Sequence, residues 1–258
     1  MQAVTQIATP NAPIDLCATV THQIDKSTPR NQTAIRFKST SAVEYLLRVK
    51  FMADWSLLID TLKIHGVAFS EPLSERETVA VENMFGFSFP SDLRAFLQTA
   101  LPTGKHFPDW RVCDETLIGD WLNRPREGVL FDVAHNNFWL SEWGDRPTEL
   151  VDANAIVNKL IDDAPKLIPI FEHRMMPSEP LDAGNPVFSV HQTDIIAYGR
   201  DLADYLIHEF TFTESEQFDW TVPENVRSIR FWDIVRFQET RWGDDGSCVF
   251  DNRRGILP

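Results

Sequence analysis

The chain is poor in the features that announce common chemistries. It has three cysteines in 258 residues, Cys17, Cys113 and Cys248, and no CxxC pair. An odd number at wide spacing argues against a disulfide framework and against a structural zinc site. It fits reduced thiols, and so a cytoplasmic protein. No apolar run approaches the ~18 residues of a membrane-crossing helix. The first residues lack the basic segment and apolar core of a secretory signal. There is no GxGxxG, no P-loop, no GxSxG elbow, no HExxH and no EF-hand loop. Each absence lowers the case for one common enzyme class.

Positive charge is also scarce. The 24 Lys and Arg face 38 Asp and Glu, for a net charge of −14. A chain this acidic has no general attraction for nucleic acid or an anionic membrane. It suits a basic protein partner. The imbalance is uneven: residues 1–50 carry six Lys/Arg and three Asp/Glu, whereas residues 51–258 carry 18 and 35. Residues 1–40 are rich in Thr, Ser, Gln, Asn and Pro and lack periodicity, which reads as a disordered or variable tail. Two alternatives are a transit peptide, against which Asp15 and Asp25 count, and a start at Met52.

What is present is periodic. Ser41 and Glu44 have capping-box spacing. Val43, Leu47, Phe51, Trp55, Leu58, Ile59 and Leu62 follow at helical intervals up to Gly66. Ser74 and Glu77 cap a second helix ending at Gly86. Leu93, Phe96, Leu97 and Ala100 mark a short third one between Pro90 and Pro102. Residues 128–140, "GVLFDVAHNNFWL", read as a strand, an Asn-Asn turn and a second extended piece. A helix is expected over 148–163 and a buried strand over 166–171. In "NPVFSVHQTDIIAYG" (185–199), two β-rich runs flank Gln192-Thr193-Asp194, a hairpin turn in which Asp194 would bond backbone amides. Alternation puts Val187, Ser189 and His191 on one face, with Phe188 and Val190 on the other. Asp201 is an N-cap for the helix that follows. A last short helix is expected over 228–237, then an irregular tail over 241–258. Helices followed by strands with interspersed helices indicate an α+β fold with a mainly antiparallel sheet.

Candidate functional residues come from histidines and aromatics. His135, His173 and His191 lie in or beside expected strands, and three imidazoles suffice for zinc if the fold gathers them. Their spacing does not require it. Trp121, Trp139 and Trp143 cluster in sequence around His135, Asn136, Asn137 and Glu142. Aromatics mixed with polar groups suit protein interfaces. Tyr198 adds a polar tip on an apolar body. The partner-binding candidates are therefore Trp121, His135, Asn136, Trp139, Glu142, Trp143, His173, His191 and Tyr198.

The run "LSERETVAVENMFGFSFPSDLRAFLQTALP" (73–102) resembles the opening of the SUKH superfamily, the Smi/Knr-type cell-wall-regulator-like proteins. The resemblance rests on Glu77, Glu82, Gly86, Phe89-Pro90, Asp92 and Phe96-Leu97. "LIPIF" is similar to that family's Ile-Pro strand, and "NPVFSVHQTDIIAYGRDLADYL" to its paired strands and following helix. "FWLSEWGDRP" is similar to a bacterial subgroup. The resemblance covers residues 55–240 or so; the chain departs from it in a long Trp-rich insert and in extensions at both ends. It implies a domain over 41–240, with N-terminal helices packed on a mainly antiparallel sheet, no shared catalytic set and no cofactor. It also implies a non-enzymatic role, most often as an immunity protein that neutralises a secreted toxin, here a basic one. A stand-alone regulator or scaffold, as in fungal relatives, is the second reading. A histidine-based metal-dependent hydrolase or small-ligand binder is the third.

Overall fold

The computed structural model describes residues 54–211 and 226–233, together with the backbone of Glu239–Trp242 and Cys248–Asp251. All of them belong to one unit of the chain, Thr40–Pro258. The fold is α+β. Among the described residues no helix is long and apolar enough to cross a membrane.

Helix α1 (Trp55–Ile64) starts where the Asp54 carboxylate accepts the Leu57 N–H at 3.2 Å, and it buries Leu58, Ile59 and Leu62. The expected helical segment before it, with Ser41 and Glu44, lies outside the described residues. Helix α2 (Glu75–Phe85) carries the foreseen capping box. The Ser74 hydroxyl accepts the Glu77 N–H at 3.3 Å, and the Glu77 carboxylate accepts the Ser74 N–H at 2.7 Å. Gly86 ends the helix at φ 63°, a left-handed turn that glycine enters without Cβ strain. Helix α3 (Ser91–Leu97) follows Pro90. Strands β1 (Ala68–Ser70) and β2 (Leu101–Thr103), which no sequence signal marked, pair antiparallel around these helices.

Helix α4 (Glu115–His135) comes next, then a 3-10 turn at Ser141–Trp143 and helix α5 (Leu150–Asp162). A four-stranded antiparallel meander follows: β3 (Leu167–Phe171), β4 (Arg174–Pro177), β5 (Val187–His191) and β6 (Asp194–Gly199). Helix α6 (Leu202–Thr211) is capped by Asp201, whose carboxylate accepts the Asp204 N–H at 2.9 Å.

The sheet separates two cores. Ile168, Met176 and Val187 pack with α1, α3 and α6 through Leu58, Leu62, Phe96, Leu202 and Leu206. Their neighbours Leu167, Met175 and Phe188 point the other way, with Val190, Ile195 and Ala197, onto Val129 and Val133 of α4 and Val157 of α5. Period-two alternation is what lets one sheet serve both cores. Trp232 closes the second core, with its indole N–H donating to the Pro165 carbonyl at 2.7 Å.

Four expectations need correction. Residues 128–135 are the end of α4, not a strand, because Val129 and Val133 repeat at four-residue spacing and bury one helical face. Asp194 is the first residue of β6, paired with His191, so the turn is the two residues Gln192-Thr193. Residues 226–231 are non-helical, and of the expected last helix only Trp232 and Asp233 are seen as helical; 234–238 lie outside the described residues. The tail read as irregular contains strand β8 (Cys248–Asp251), antiparallel to β7 (Glu239–Trp242).

Candidate functional site

Helix α4 is the element that organises the candidate site. Its N-cap, Asp114, accepts the N–H groups of Thr116 and Leu117 at 3.0 Å each. Ile118, Val129 and Val133 face inward and are buried. On another side, Leu117, Trp121, Arg124, Gly128, Phe131 and His135 recur at steps of four and three. That spacing puts them in one stripe along a helix of 21 residues, about 31 Å long. Leu117 is 66% exposed and Phe131 46%, so large apolar groups of this stripe face solvent.

The stripe runs beside the ends of the sheet. The Trp121 indole donates to the Glu172 carbonyl in the β3–β4 turn at 2.6 Å, and the Arg124 guanidinium lies 5.2 Å from its ring. Asp132 reaches the β5–β6 turn and is 5% exposed. Its carboxylate accepts the Thr193 N–H at 3.0 Å and the Thr193 hydroxyl at 2.5 Å. A buried carboxylate from α4, rather than Asp194, therefore ties the turn. Gly128 is the closest approach: a Cβ there would stand 2.7 Å from the Gln192 Cα. Gln192 itself sits at φ 55°.

Between α4 and these turns lies a cleft of about 420 Å³. Met175 and Val190 give it an apolar floor, and Phe131 stands at its mouth. Arg124, Glu127, His173, His191 and Gln192 form its rim. His173 titrates below the ordinary histidine range, first because of burial and then because the Arg174 guanidinium is beside it. The rim imidazole is accordingly neutral at pH 7. The cleft can hold an apolar or aromatic group and offer its edge hydrogen bonds. Its described lining holds no Ser, Thr, Cys or Lys side chain that could serve as a nucleophile. Among the described residues no three His, Cys, Asp or Glu side chains converge on a common metal position.

The structure brings four sequence-derived candidates to this face. Trp121, His173 and His191 surround the cleft or border it, and His135 packs its ring 4.5 Å from Phe131. Asn136 caps the helix end and donates to Asp132 at 2.5 Å, a supporting role. Trp139, Glu142 and Trp143 form a separate corner. Trp139 and Trp143 meet edge to face at 5.4 Å, Trp143 stacks on Phe231, and Glu142 is exposed. Tyr198 lies on the opposite face of the sheet, 3.8 Å under the Arg174 guanidinium. Arg174 also donates to the Ser189 hydroxyl at 3.0 Å, contacts the His173 ring, and lies 3.5 Å from Glu209. Burial pushes the Glu209 carboxyl up, and Arg174 partly offsets this.

Sequence reasoning missed Arg124, Gly128, Phe131, Asp132 and Gln192. The three-four spacing from Leu117 to His135 was the available signal for the residues on α4. A second hollow, about 210 Å³, is lined by Trp55, Asp92 and Asp201. Asp92 accepts the N–H groups of Leu93 at 2.9 Å and Gly184 at 2.8 Å, so this acid ties a loop to a helix start, as Asp201 caps α6. No family model, no curated protein and no solved structure matches the chain.

Proposed function

We propose that the chain is a non-enzymatic protein-binding domain of the SUKH type, acting in the cytoplasm as an immunity protein for a basic toxin domain. The observation that carries this reading is the exposed stripe of α4. Two of its apolar side chains, Leu117 and Phe131, stand in solvent on a helix of 21 residues. Exposed apolar groups on a firm scaffold, rimmed by polar residues, are what a protein partner uses. Asp114 and Asp120 flank Leu117 at three-residue spacing, and Glu127 follows on the same helix. Carboxylates around apolar contacts speed the capture of a basic protein and select against acidic ones. The order of SUKH-like motifs and the net charge of −14 point the same way.

The test is co-expression of the full chain with the toxin-like product of an adjacent gene. Restored growth and a complex that co-elutes are the expected results. Leu117→Lys with Phe131→Lys should abolish both, while Val151→Lys, exposed on α5, should abolish neither. An adjacent gene product that is neither bound nor neutralised, or a neighbourhood with no toxin gene, refutes the immunity role.

A further inference from the structure

The cleft beside α4 says what the partner inserts, and this step rests on the protein-binding reading. We propose that the cleft is a socket for one aromatic side chain of the partner, carried between basic residues. Its volume, about 420 Å³, falls within the 300–1,000 Å³ common for binding pockets. Its floor is built for a ring. Met175 supplies a thioether, which packs well on aromatic edges, and Phe131 supplies a second ring at the mouth. Met175 is 1% exposed and Val190 8%, so the floor is part of the core and does not need to form on binding.

The rim selects a neutral head. Arg124 and Glu127 have opposite charge and lie side by side on α4, so the cleft favours no ion as such. His173, held neutral by burial, and the Gln192 amide offer an acceptor and a donor to an indole N–H or a phenol O–H, with the His191 ring beside them. Just outside, the signs no longer balance. Asp120 on α4, Glu172 beside His173, and Asp194 opposite His191 join Glu127, giving four carboxylates against Arg124 and the Arg174 guanidinium that contacts His173. That ring complements lysine or arginine on either side of the inserted aromatic.

The socket is also preformed. Asp132 holds Thr193 from α4, the backbone packs tightly at Gly128, and the Trp121 indole holds the β3–β4 turn. A site that does not reorganise loses little affinity to ordering.

The experiment uses the full chain, labelled with ¹³C-methyl methionine, and three blocked tripeptides: Lys-Trp-Lys, Glu-Trp-Glu and Lys-Ala-Lys. The Met175 methyl is assigned by its disappearance in Met175→Leu. Lys-Trp-Lys should move that methyl upfield, saturably, and bind about tenfold or more tightly than either other peptide. Phe131→Ala, at a half-exposed position, should weaken it while leaving the melting temperature near that of the parent chain. Equal binding of Lys-Ala-Lys overturns the socket, since the acidic rim alone would then suffice. So does a Met175 methyl that stays still at saturating peptide. The measurement needs no natural partner. A chain that takes the peptide but gives no protection against a toxin loses the immunity role and keeps the socket. A chain that protects while its cleft ignores the peptide loses the socket alone.

Discussion

Replacing Gly128 by alanine tests whether α4 truly rests on the β5–β6 turn. An added Cβ would meet the Gln192 Cα at 2.7 Å and its N at 3.2 Å, where ordinary contacts begin at 3.4 Å. Both partners are backbone, so no side chain can swing away. The turn is further pinned by Asp132 on Thr193. Relief requires sliding α4 off the sheet, which loosens Val129 and Val133 against Phe188 and Ile195. Overpacking of this kind costs about 1–3 kcal/mol. Alanine in a helix returns about 1 kcal/mol. A net loss of about 1–2 kcal/mol is expected if the overpacking lies in the upper part of its range. Gly119, four residues into the same helix, is the control, because a Cβ there meets nothing within 4 Å. Gly119→Ala should stabilise by up to about 1 kcal/mol. The two variants would then differ by about 2–3 kcal/mol, or roughly 1 M in urea midpoint at an m-value near 2 kcal/mol/M. If Gly128→Ala proves as stable as Gly119→Ala, the contact does not exist and the cleft is not held as described.

Three further outcomes follow from the ionic groups. Arg174→Leu removes the cation facing Glu209 and the neighbour that depresses His173. Glu209 is already pushed up by burial, and a raised carboxyl loses its favourable contribution as pH rises through its folded value. The variant's deficit should therefore be larger at pH 8 than at pH 5, and smaller than the roughly 3–5 kcal/mol of a fully buried pair because Glu209 is partly exposed. In the same variant the His173 titration followed by NMR should move upward but stay below a free histidine, since burial, the larger cause, remains; an unchanged midpoint would refute the assignment. Glu77 is held down to about 2 by the Ser74 hydroxyl, the Ser74 amide and Arg111. A depressed carboxyl contributes above its unfolded value of 4.5 and loses that contribution as pH falls toward 2. Glu77→Gln should flatten the acid limb of a urea-midpoint profile between these limits, and an unaltered limb would show that the capping box carries no linkage.

Local chemistry made much of the fold legible. Ser74 with Glu77, Gly86 after Phe85, Asp201 before Leu202 and the buried run at 167–171 are each decided within a few residues. The chain obeys them. The misses have a common physical origin. Strands β1 and β2 are three residues each and exist only because they pair across about thirty residues, so no local pattern marks them. Asp194 looked like the turn acid because it stands next to the turn. The acid that holds the turn, Asp132, is about sixty residues away in sequence.

The costliest miss was α4, because the misread element hid the site. "GVLFDV" is rich in β-branched and aromatic residues, and Pro125 just before it removes the N–H that would bond the Trp121 carbonyl, so a short window reads strand. A longer window from Ile118 through Val129 to Val133 reads helix, and burial of that face against the sheet outweighs local propensity. As a strand, 128–135 would send alternate side chains to opposite faces, and Phe131 and His135 would share no surface with Trp121 and Arg124. As a helix, the same residues form one stripe, and Gly128 falls where the stripe must touch the Gln192 backbone. The histidines stood out in the sequence both as partner-binding candidates and as imidazoles that zinc would need gathered. Their chemistry suggested a metal. The structure places His173 and His191 at the rim of a cleft whose other wall is α4, and His135 against Phe131 on that helix.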